Sequence, residues 1–247
     1  MCLRTMHHLL QYGEPIIRKT VPLALGLLRI SNPEVQTMDL LNKLAYDADK
    51  QVAKTAIFAL GLIGAGTNNS RLSGNLRYLA TYYATSPDLL FLVRISQGLI
   101  HLGKGMLGLS PMHSGKFLFS NVSLAGIITI LYAAADIDTF ICGKYHYFLY
   151  YLVLSMYPRM VVTLNEKLEN VKVQVKVGQA VDTVGAAGKP KSITGFTIHD
   201  SPVLIGHGEK AELATDEFLP YNSIMENFAV IKNNPDYEPE QDAEAKK

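Results

Sequence analysis

An internal repeat within the first 110 residues constrains the fold of this chain more than any other feature. Three segments of similar pattern carry a glycine at the same place, at Gly26, Gly61 and Gly98, so the repeat length is 35 to 37 residues. This length is typical of a helix–turn–helix unit that stacks on its neighbours, and the sequence therefore predicts a helical array. The three segments are RKTVPLALGLLRIS (18–31), AKTAIFALGLIGAG (53–66) and LFLVRISQGLIHLGKG (90–105).

Each repeat contains two helices of different character. One is apolar on nearly every side, as in residues 57–63, and such a helix is expected to be buried on every side. The other is amphipathic, as in residues 38–48, where apolar positions at helical spacing lie opposite Asp39, Lys43 and Asp47. We therefore expect one helix of each pair to face the interior and the other to face solvent.

The repeated glycines need a physical reason, because glycine inside a helix costs about 0.5–1 kcal/mol relative to alanine. Their common position predicts that neighbouring helices approach too closely there for a Cβ atom. Gly26, Gly61 and Gly98 are thus predicted to be structural glycines of the repeat.

The pattern changes twice after the repeats. Residues 121–157 contain two apolar segments that break the repeat and are predicted to be capping helices. After Pro158, the run VKVQVKV alternates strictly, as a half-buried strand does, and short strand-like runs punctuated by glycine and proline follow it. The predicted fold class is α+β, an α-helical repeat followed by a small β-rich domain. The predicted boundaries are 1–120 for the repeats, 121–158 for the capping helices, 159–232 for the β-rich domain and 233–247 for a disordered acidic tail.

No catalytic, cofactor-binding or metal-binding residue is predicted. Gly103, Gly105 and Gly108 form a literal GxGxxG, but the dinucleotide-binding version requires a preceding strand and a following helix. Here an apolar helix precedes it and Ser110-Pro111 follows, which favours a helix C-cap and loop. An enzyme that binds a nucleotide at this segment is a further, weaker hypothesis.

The histidines and cysteines also lack the spacing of a metal site. His199 and His207 flank a strand-like run and could approach across a hairpin, but no third ligand accompanies them. Cys2 and Cys142 lie far apart, which fits free thiols in a reducing compartment. The net charge of +1 gives no reason to expect a nucleic acid or an acidic membrane as partner, and the apolar stretches are too short for a membrane span. We expect a soluble protein of the cytoplasm and nucleus.

Three stretches carry a resemblance to a known family: FALGLIGAGTNNSRL (58–72), QGLIHLGKGMLGLSPMHS (97–114) and the glycine-rich segment 177–220. They resemble the non-ATPase scaffold subunits of the 26S proteasome regulatory-particle base that contain proteasome/cyclosome repeats. The resemblance implies repeats that close into a toroid. It also implies a non-catalytic scaffold in ubiquitin-dependent protein degradation, without a cofactor. The implied partners are the proteasome ATPase subunits, other regulatory-particle subunits, and ubiquitin or ubiquitin-like domain proteins.

The chain departs from this family in length, since family members are several times longer. It is expected to represent a C-terminal portion that lacks the earlier repeats, where the receptor helices of the family lie. No ubiquitin-binding residue is therefore assigned, and the partner-binding residues are unknown. The exposed outer helices are the best candidates for partner contact, because stacked repeats create extended binding surfaces. The alternative is a helical-repeat interaction adaptor outside the proteasome.

Overall fold

The computed structural model describes residues 2–113, 118–181, 192–206, 209–222 and 224–237. The chain divides into two compact units, Met1–Pro158 and Arg159–Lys247. The first unit is built mainly from helices and the second from strands, which confirms the predicted fold class of an α-helical repeat followed by a β-rich region.

The first unit begins with three helical pairs. Their helices are α1 (Cys2–Tyr12), α2 (Pro15–Leu28), α3 (Val35–Leu44), α4 (Lys50–Gly64), α5 (Ser70–Tyr82) and α6 (Pro87–Ile100). The apolar helices α2, α4 and α6 pack side by side, with α4 in the middle. Because α4 has a neighbour on each side, it is buried continuously from Val52 to Gly64. Helices α3 and α5 are amphipathic and bury only one face.

The same backbone bond joins successive repeats. The N–H of Ser31 donates to the carbonyl of Leu62 at 3.1 Å, and the N–H of Gly66 donates to the carbonyl of Leu99 at 2.9 Å. Both donors lie just after an apolar helix and have left-handed backbones, with φ of 51° and 69°. The buried Ser31 hydroxyl also donates to the carbonyl of Ala65 at 2.9 Å. Each apolar helix is thus fixed at its C-terminal end to the next one.

The segment after the third pair combines helices and strands. It contains a 3-10 helix (Leu102–Gly105), strand β1 (Leu107–Leu109), helix α7 (Asn121–Ala135), a second 3-10 helix (His146–Ser155) and strand β2 (Met156–Pro158). Strands β1 and β2 pair antiparallel. The last helix of the three pairs ends at Ile100, and the rest of the predicted repeat region, to residue 120, contains the first 3-10 helix and β1 in its described part.

Residues 121–158, for which capping helices are predicted, contain α7, which is α-helical, and the 3-10 helix His146–Ser155. The two elements pack closely, since a Cβ on Gly126 of α7 would lie 2.6 Å from the carbonyl oxygen of Tyr151. Apolar side chains from both elements join the core of the helical pairs.

The second unit contains two small sheets. Its strands are β3 (Met160–Leu164), β4 (Gln174–Val181), β5 (Ser192–Asp200), β6 (Val203–Leu204), β7 (Glu209–Leu213), β8 (Phe218–Pro220) and β9 (Asn227–Asn233). One sheet has the order β6-β3-β9-β8, with β3 and β9 parallel, and the other has the order β5-β4-β7. Val161, Val175, Ala211 and Ile231 are among the buried residues of a common core.

The alternating run that predicted a strand contributes to this core. Val173, Val175 and Val177 are buried, although β4 itself begins only at Gln174. The N–H of Val173 instead donates to the buried hydroxyl of Ser201 at 3.0 Å. This side-chain bond replaces a ladder partner at the point where the strand begins.

The first residues of the predicted acidic tail, 233–247, contact the β-rich unit. Asn233 pairs with Phe218 at the end of β9, and the Asn234 amide donates to the carbonyl of Asp216 at 2.8 Å. Residues 238–247 lie outside the described part of the chain. Among the helices that the structure describes, none has the length and apolar character required to cross a membrane.

Candidate protein-binding surface

The outer face of helices α3 and α5 presents a group of exposed tyrosines. Tyr78 is 75% exposed, Tyr82 is 63% exposed and Tyr46 is 43% exposed. Tyr78 and Tyr82 lie on α5, Tyr46 lies just after the end of α3, and buried leucines such as Leu41 and Leu79 hold the opposite faces of the two helices. The amphipathic pattern of each outer helix therefore places the tyrosines on the solvent side.

The tyrosines form an ordered aromatic group. The Tyr82 ring packs edge-on against Tyr46 at 5.1 Å between centroids and against Tyr83 at 4.7 Å. The Tyr83 hydroxyl donates to the carbonyl of Ala45 at 2.7 Å, which links α5 to the end of α3. Burial raises the pKa of Tyr46 and of Tyr83, and the neighbouring Tyr82 adds to both shifts. We refer to Tyr46, Tyr78, Tyr82 and Tyr83 as the tyrosine surface.

An ion pair connects the same two helices nearby. The Arg71 guanidinium on α5 lies 2.7 Å from the Asp39 carboxylate on α3, and both side chains are about half exposed. An exposed pair of this kind contributes at most about 1 kcal/mol to stability. Tyrosine and arginine are enriched at the energetic centres of protein interfaces, and rigid helices hold them in place. The tyrosine surface is therefore suited to contact with another protein.

Sequence reasoning identified the outer helices as candidates but did not identify these tyrosines. A repeat signal was present, because Tyr12, Tyr46 and Tyr82 stand at the ends of successive outer helices, 34 and 36 residues apart. Tyr12 is itself 75% exposed. The repeat spacing of the outer helices is thus the sequence signal for this series of tyrosines.

The three predicted structural glycines have different surroundings. At Gly61, a Cβ would lie 2.9 Å from the Cα of Ser96, too close for any side chain. At Gly26, a Cβ would meet Ala59 at 3.4 Å, which is ordinary contact. At Gly98, a Cβ would meet nothing within 4 Å among the residues described. Among the described residues, the predicted close approach is therefore found at Gly61 and is not found at Gly98.

A buried lysine links the helical pairs to the segment that follows α7. The Lys54 ammonium on α4 contacts the carboxylate of Asp138 and lies 3.3 Å from that of Asp88 at the start of α6. Gln51 also donates to Asp138, at 2.6 Å. Burial lowers the pKa of Lys54, but the hydrogen bonds to the two carboxylates outweigh it and raise that pKa overall. The Lys54 bond holds the pKa of Asp138 below its usual value. These contacts join structural elements that lie far apart in the sequence.

The GxGxxG segment adopts the predicted helix end and loop rather than a phosphate-binding turn. Gly103 and Gly105 lie in the 3-10 helix after α6, and Gly108 lies in β1. Gly103 has φ of 55°, Lys104 has φ of 59° and Gly105 has φ of 85°, so the chain turns sharply at the end of the repeat. No strand precedes this turn in the described range 2–113, where α6 comes directly before it.

The histidines and Cys142 occupy separate places. His101 contacts the Asn68 side chain at 2.8 Å, and His199 contacts Thr197 at 2.8 Å. His207 lies outside the described residues, so its predicted proximity to His199 is untested. Burial raises the pKa of the Cys142 thiol to about 11, which makes it a poor nucleophile. Within the described ranges, no group of three or more histidine, cysteine or acidic side chains has the geometry of a metal site.

Comparison with known proteins assigns both units to one kind of protein. The family model of the proteasome/cyclosome repeat matches residues 55–87. The model described as 26S proteasome non-ATPase regulatory subunit RPN1 C-terminal matches residues 184–237. The first match covers most of α4 and all of α5, and the second covers β5 to β9 of the β-rich unit.

Full-length relatives agree with these matches. The chain is 57% identical to 26S proteasome non-ATPase regulatory subunit 2 homolog A of Arabidopsis thaliana over 97% of its own length and 27% of the relative. It is 52% identical to 26S proteasome non-ATPase regulatory subunit 2 of Dictyostelium discoideum over 95% of its own length and 26% of the relative. It is 47% identical to 26S proteasome regulatory subunit rpn1 of Schizosaccharomyces pombe over 95% of its length and 26% of the relative.

The chain thus spans about a quarter of the length of the curated relatives that it matches. The match runs through the helical repeats, the segment after them and the β-rich unit, so it does not depend on repeat composition alone. The chain is therefore a member of the Rpn1 family of 26S proteasome non-ATPase regulatory subunits.

Proposed function

We propose that this chain acts as a non-catalytic scaffold and protein-binding segment of the 26S proteasome base. In this role it supports ubiquitin-dependent protein degradation by contacting the ATPase ring and substrate-delivery factors. The observation that carries the proposal is the identity of 57% to a proteasome non-ATPase regulatory subunit over 97% of the chain. Conservation of that extent over both units supports a shared role rather than a shared fold alone.

The structure of the repeats suits a positional role. The apolar helices pack against one another and are fixed end to end by backbone hydrogen bonds, so the array is rigid. Rigid stacked helices hold exposed side chains at fixed separations, and other repeat proteins bind their partners through such surfaces. The alternative adaptor role outside the proteasome has no specific observation in its favour.

We assign partner contact in this unit to the tyrosine surface. Tyr46, Tyr78 and Tyr82 are exposed, and Tyr83 is partly buried. The Tyr82 ring is ordered by edge-on packing against Tyr46 and Tyr83, and the helices α3 and α5 bury their opposite faces. Large aromatic side chains lose little conformational entropy on binding and contribute strongly at interface centres. Proteasome subunits are the partners that the family membership suggests, and the cytoplasm and nucleus are the corresponding locations.

The proposal can be tested by binding of the purified chain to a purified proteasome base lacking its own copy of this subunit. We expect saturable binding. Replacement of both Tyr78 and Tyr82 by alanine should weaken this binding by roughly tenfold or more, as for an interface centre. Tyr132→Ala is the matched control, because Tyr132 on α7 is also highly exposed but lies outside the tyrosine surface.

Each outcome of this experiment has a distinct meaning. Absence of binding by the unaltered chain would contradict the scaffold role. Binding that is unaffected by the double alanine variant would keep the scaffold role and contradict the assignment of the tyrosine surface. Fluorescence microscopy of a tagged chain would check its location in the cytoplasm and nucleus.

A further inference from the structure

The last strand of the β-rich unit is followed by an anchored turn that ends on a tyrosine. The Asn234 N–H donates to the carbonyl of Glu217 at 2.9 Å, and the Asn234 side-chain amide donates to the carbonyl of Asp216 at 2.8 Å. The side-chain oxygen of Asn234 accepts the N–H of Asp236 at 3.1 Å. These bonds fix the start of the turn 234–237 against the residues that precede β8.

Tyr237, at the end of this turn, is held only loosely. Its N–H donates to the carbonyl of Asn234 at 3.4 Å, which is longer than the range of about 2.7–3.2 Å usual for such a bond. Its side chain is 41% exposed. Among the described residues, its hydroxyl has no hydrogen-bond partner and its ring packs against no other aromatic ring. Tyr237 can therefore leave the turn at a small free-energy cost.

The other tyrosines are held by helices, by hydroxyl hydrogen bonds or by ring packing. The tyrosines that lie within helices are Tyr12, Tyr78, Tyr82, Tyr132, Tyr147, Tyr150 and Tyr151. Those with a bonded hydroxyl are Tyr83 with Ala45, Tyr157 with Ser123, and Tyr221 with Glu166. The rings of Tyr46 and Tyr145 pack against other aromatic rings. Within the part of the chain that the structure describes, Tyr237 is thus the least constrained tyrosine.

Acidic residues surround Tyr237 in the sequence. Asp236 and Glu238 flank it directly, and Glu240 follows. An enzyme with basic groups around its active site is steered towards such a segment, because complementary charges speed encounter and favour the correct partner.

Tyr46 is the nearest competitor, because Asp47 and Asp49 follow it. The Tyr46 ring, however, packs edge-on against Tyr82 at 5.1 Å between centroids. The Asp49 carboxylate is also engaged, since it caps α4 by accepting the N–H of Gln51 at 2.9 Å. An enzyme would have to disrupt both contacts to take up Tyr46 with its acidic neighbours.

We propose that Tyr237 is a phosphorylation site for a tyrosine kinase that selects acidic segments. The kinase transfers the γ-phosphoryl group of ATP to the Tyr237 hydroxyl oxygen. A bond forms between this oxygen and the γ-phosphorus, the bond from the γ-phosphorus to its bridging oxygen breaks, and ADP leaves. The hydroxyl proton passes to the catalytic base of the kinase. Because the hydroxyl must enter the active-site cleft, a loosely held tyrosine reacts in preference to one whose helix must first open.

Phosphorylation changes the charge of this segment while the fold stays intact. The phosphate adds a charge of about −1.5 to −2 next to Asp236 and Glu238. Repulsion from the two carboxylates favours a side chain that extends into solvent. The bonds that anchor Asn234 go to backbone carbonyls and do not involve the Tyr237 hydroxyl, so the turn keeps its attachment to the β-rich unit.

The first experiment treats the full folded chain with ATP, Mg²⁺ and the purified catalytic domain of a tyrosine kinase that prefers acidic substrates. Peptide mass spectrometry follows the phosphate on each tyrosine over time. We expect Tyr237 to be modified at least about tenfold faster than any other tyrosine, since the others require local opening. An acidic tyrosine peptide serves as the standard that confirms kinase activity.

Variants separate the site from its charge environment. Tyr237→Phe should remove most of the incorporated phosphate. Tyr221→Phe is the matched control, because Tyr221 is also exposed and outside the helices and strands but has a bonded hydroxyl, and it should leave the incorporation unchanged. Asp236→Asn combined with Glu238→Gln keeps the tyrosine and should slow its modification by about tenfold.

The second experiment enriches phosphotyrosine peptides from the protein isolated from its own cells with phosphatases inhibited. We expect to recover the peptide that contains Tyr237. Its absence would overturn the site, whatever the purified kinase does. A kinase that modifies the standard peptide but leaves Tyr237 unmodified would also overturn it, as would faster modification of Tyr46 or of a helical tyrosine in the folded chain.

Discussion

Replacing Gly61 by alanine should destabilise the helical unit, whereas the same replacement at Gly98 should stabilise it. The two glycines occupy the same position in successive repeats and lie inside helices α4 and α6. They differ in what faces them, because a Cβ on Gly61 would lie 2.8 Å from the Ser96 hydroxyl oxygen and 2.9 Å from the Ser96 Cα. A Cβ on Gly98 has no neighbour within 4 Å in the part of the chain described.

The magnitude follows from two opposing effects. Alanine gains about 1 kcal/mol over glycine in a helix interior at either position. At Gly61, the new methyl group meets backbone rather than a movable side-chain end, so α4 and α6 must separate. Overpacking of this kind costs about 2–3 kcal/mol. The expected net effects are a loss of about 1–2 kcal/mol for Gly61→Ala and a gain of about 0.5–1 kcal/mol for Gly98→Ala.

Equilibrium urea unfolding followed by the helical signal in circular dichroism measures this difference. The helical unit contains nearly all of the α-helix in the described structure, so the signal reports on it rather than on the β-rich unit. The midpoints of the two variants should move in opposite directions from the wild type. Equal stabilisation by both substitutions would refute the close contact between α4 and α6 at Gly61.

Three further predictions concern an ion pair, a thiol and a buried hydroxyl. Asp138→Asn should lower stability by about 1–3 kcal/mol at neutral pH, because it weakens the charged partner of the buried Lys54 ammonium. Since the folded pKa of Asp138 lies below its ordinary 3.8, its stabilisation is present above 3.8 and is lost as the pH falls through the folded pKa. Unfolding measured from neutral to acidic pH should thus show a smaller acid-dependent loss in the variant, and an unchanged loss would contradict the pairing. The Cys142 thiol has a pKa raised to about 11, so it should react slowly with iodoacetamide at neutral pH and rapidly after unfolding. The mass of the peptide that contains Cys142 measures this labelling, and fast labelling of the folded chain would contradict the burial of the thiol. Ser201→Ala should destabilise the β-rich unit by about 1–3 kcal/mol, because the buried N–H of Val173 loses its acceptor. Thermal unfolding measures this loss, and a near-neutral result would show that another group replaces the hydroxyl.

The helical repeat could be predicted from the sequence because its signal is periodic. The apolar run 57–63 and the amphipathic run 38–48 lie on α4 and on α3 with the turn after it. The reason for the glycines could be predicted only in part. Sequence shows that Gly98 shares the position of Gly61, but not that α6 lacks a neighbour on that side. Gly66 is restricted more strongly than the repeat glycines, because its backbone has φ of 69° and an added Cβ would clash with the carbonyl of Leu107. The position of Leu107 relative to Gly66 cannot be predicted from helical periodicity.

The segment after the repeats was harder to predict for a physical reason. Residues 146–155 are almost entirely apolar, so they show no polar face from which a helical period could be read. The 3-10 helix packs closely against α7 at Gly126. The sequence gives no sign of that contact. In the β-rich unit, the short strand β8 escaped detection because three residues carry too little pattern.

The tyrosine surface depends on contacts between separate helices. Tyr82 contacts Tyr46 across 36 residues, and Tyr83 reaches the carbonyl of Ala45. Each tyrosine read alone is an ordinary exposed residue of an amphipathic helix. Their grouping arises only when the repeats stack, because stacking brings the ends of α3 and α5 together.

The central claim is that this chain functions within the 26S proteasome, and affinity purification with quantitative mass spectrometry tests it most directly. The tagged chain would be expressed in its own cells at native level, and the abundance of co-purified proteins would be compared with that of the chain. We predict recovery of the proteasome ATPase subunits and other regulatory-particle subunits at amounts similar to the chain itself. Recovery of a discrete set of partners without proteasome subunits would contradict the account and support an adaptor role elsewhere.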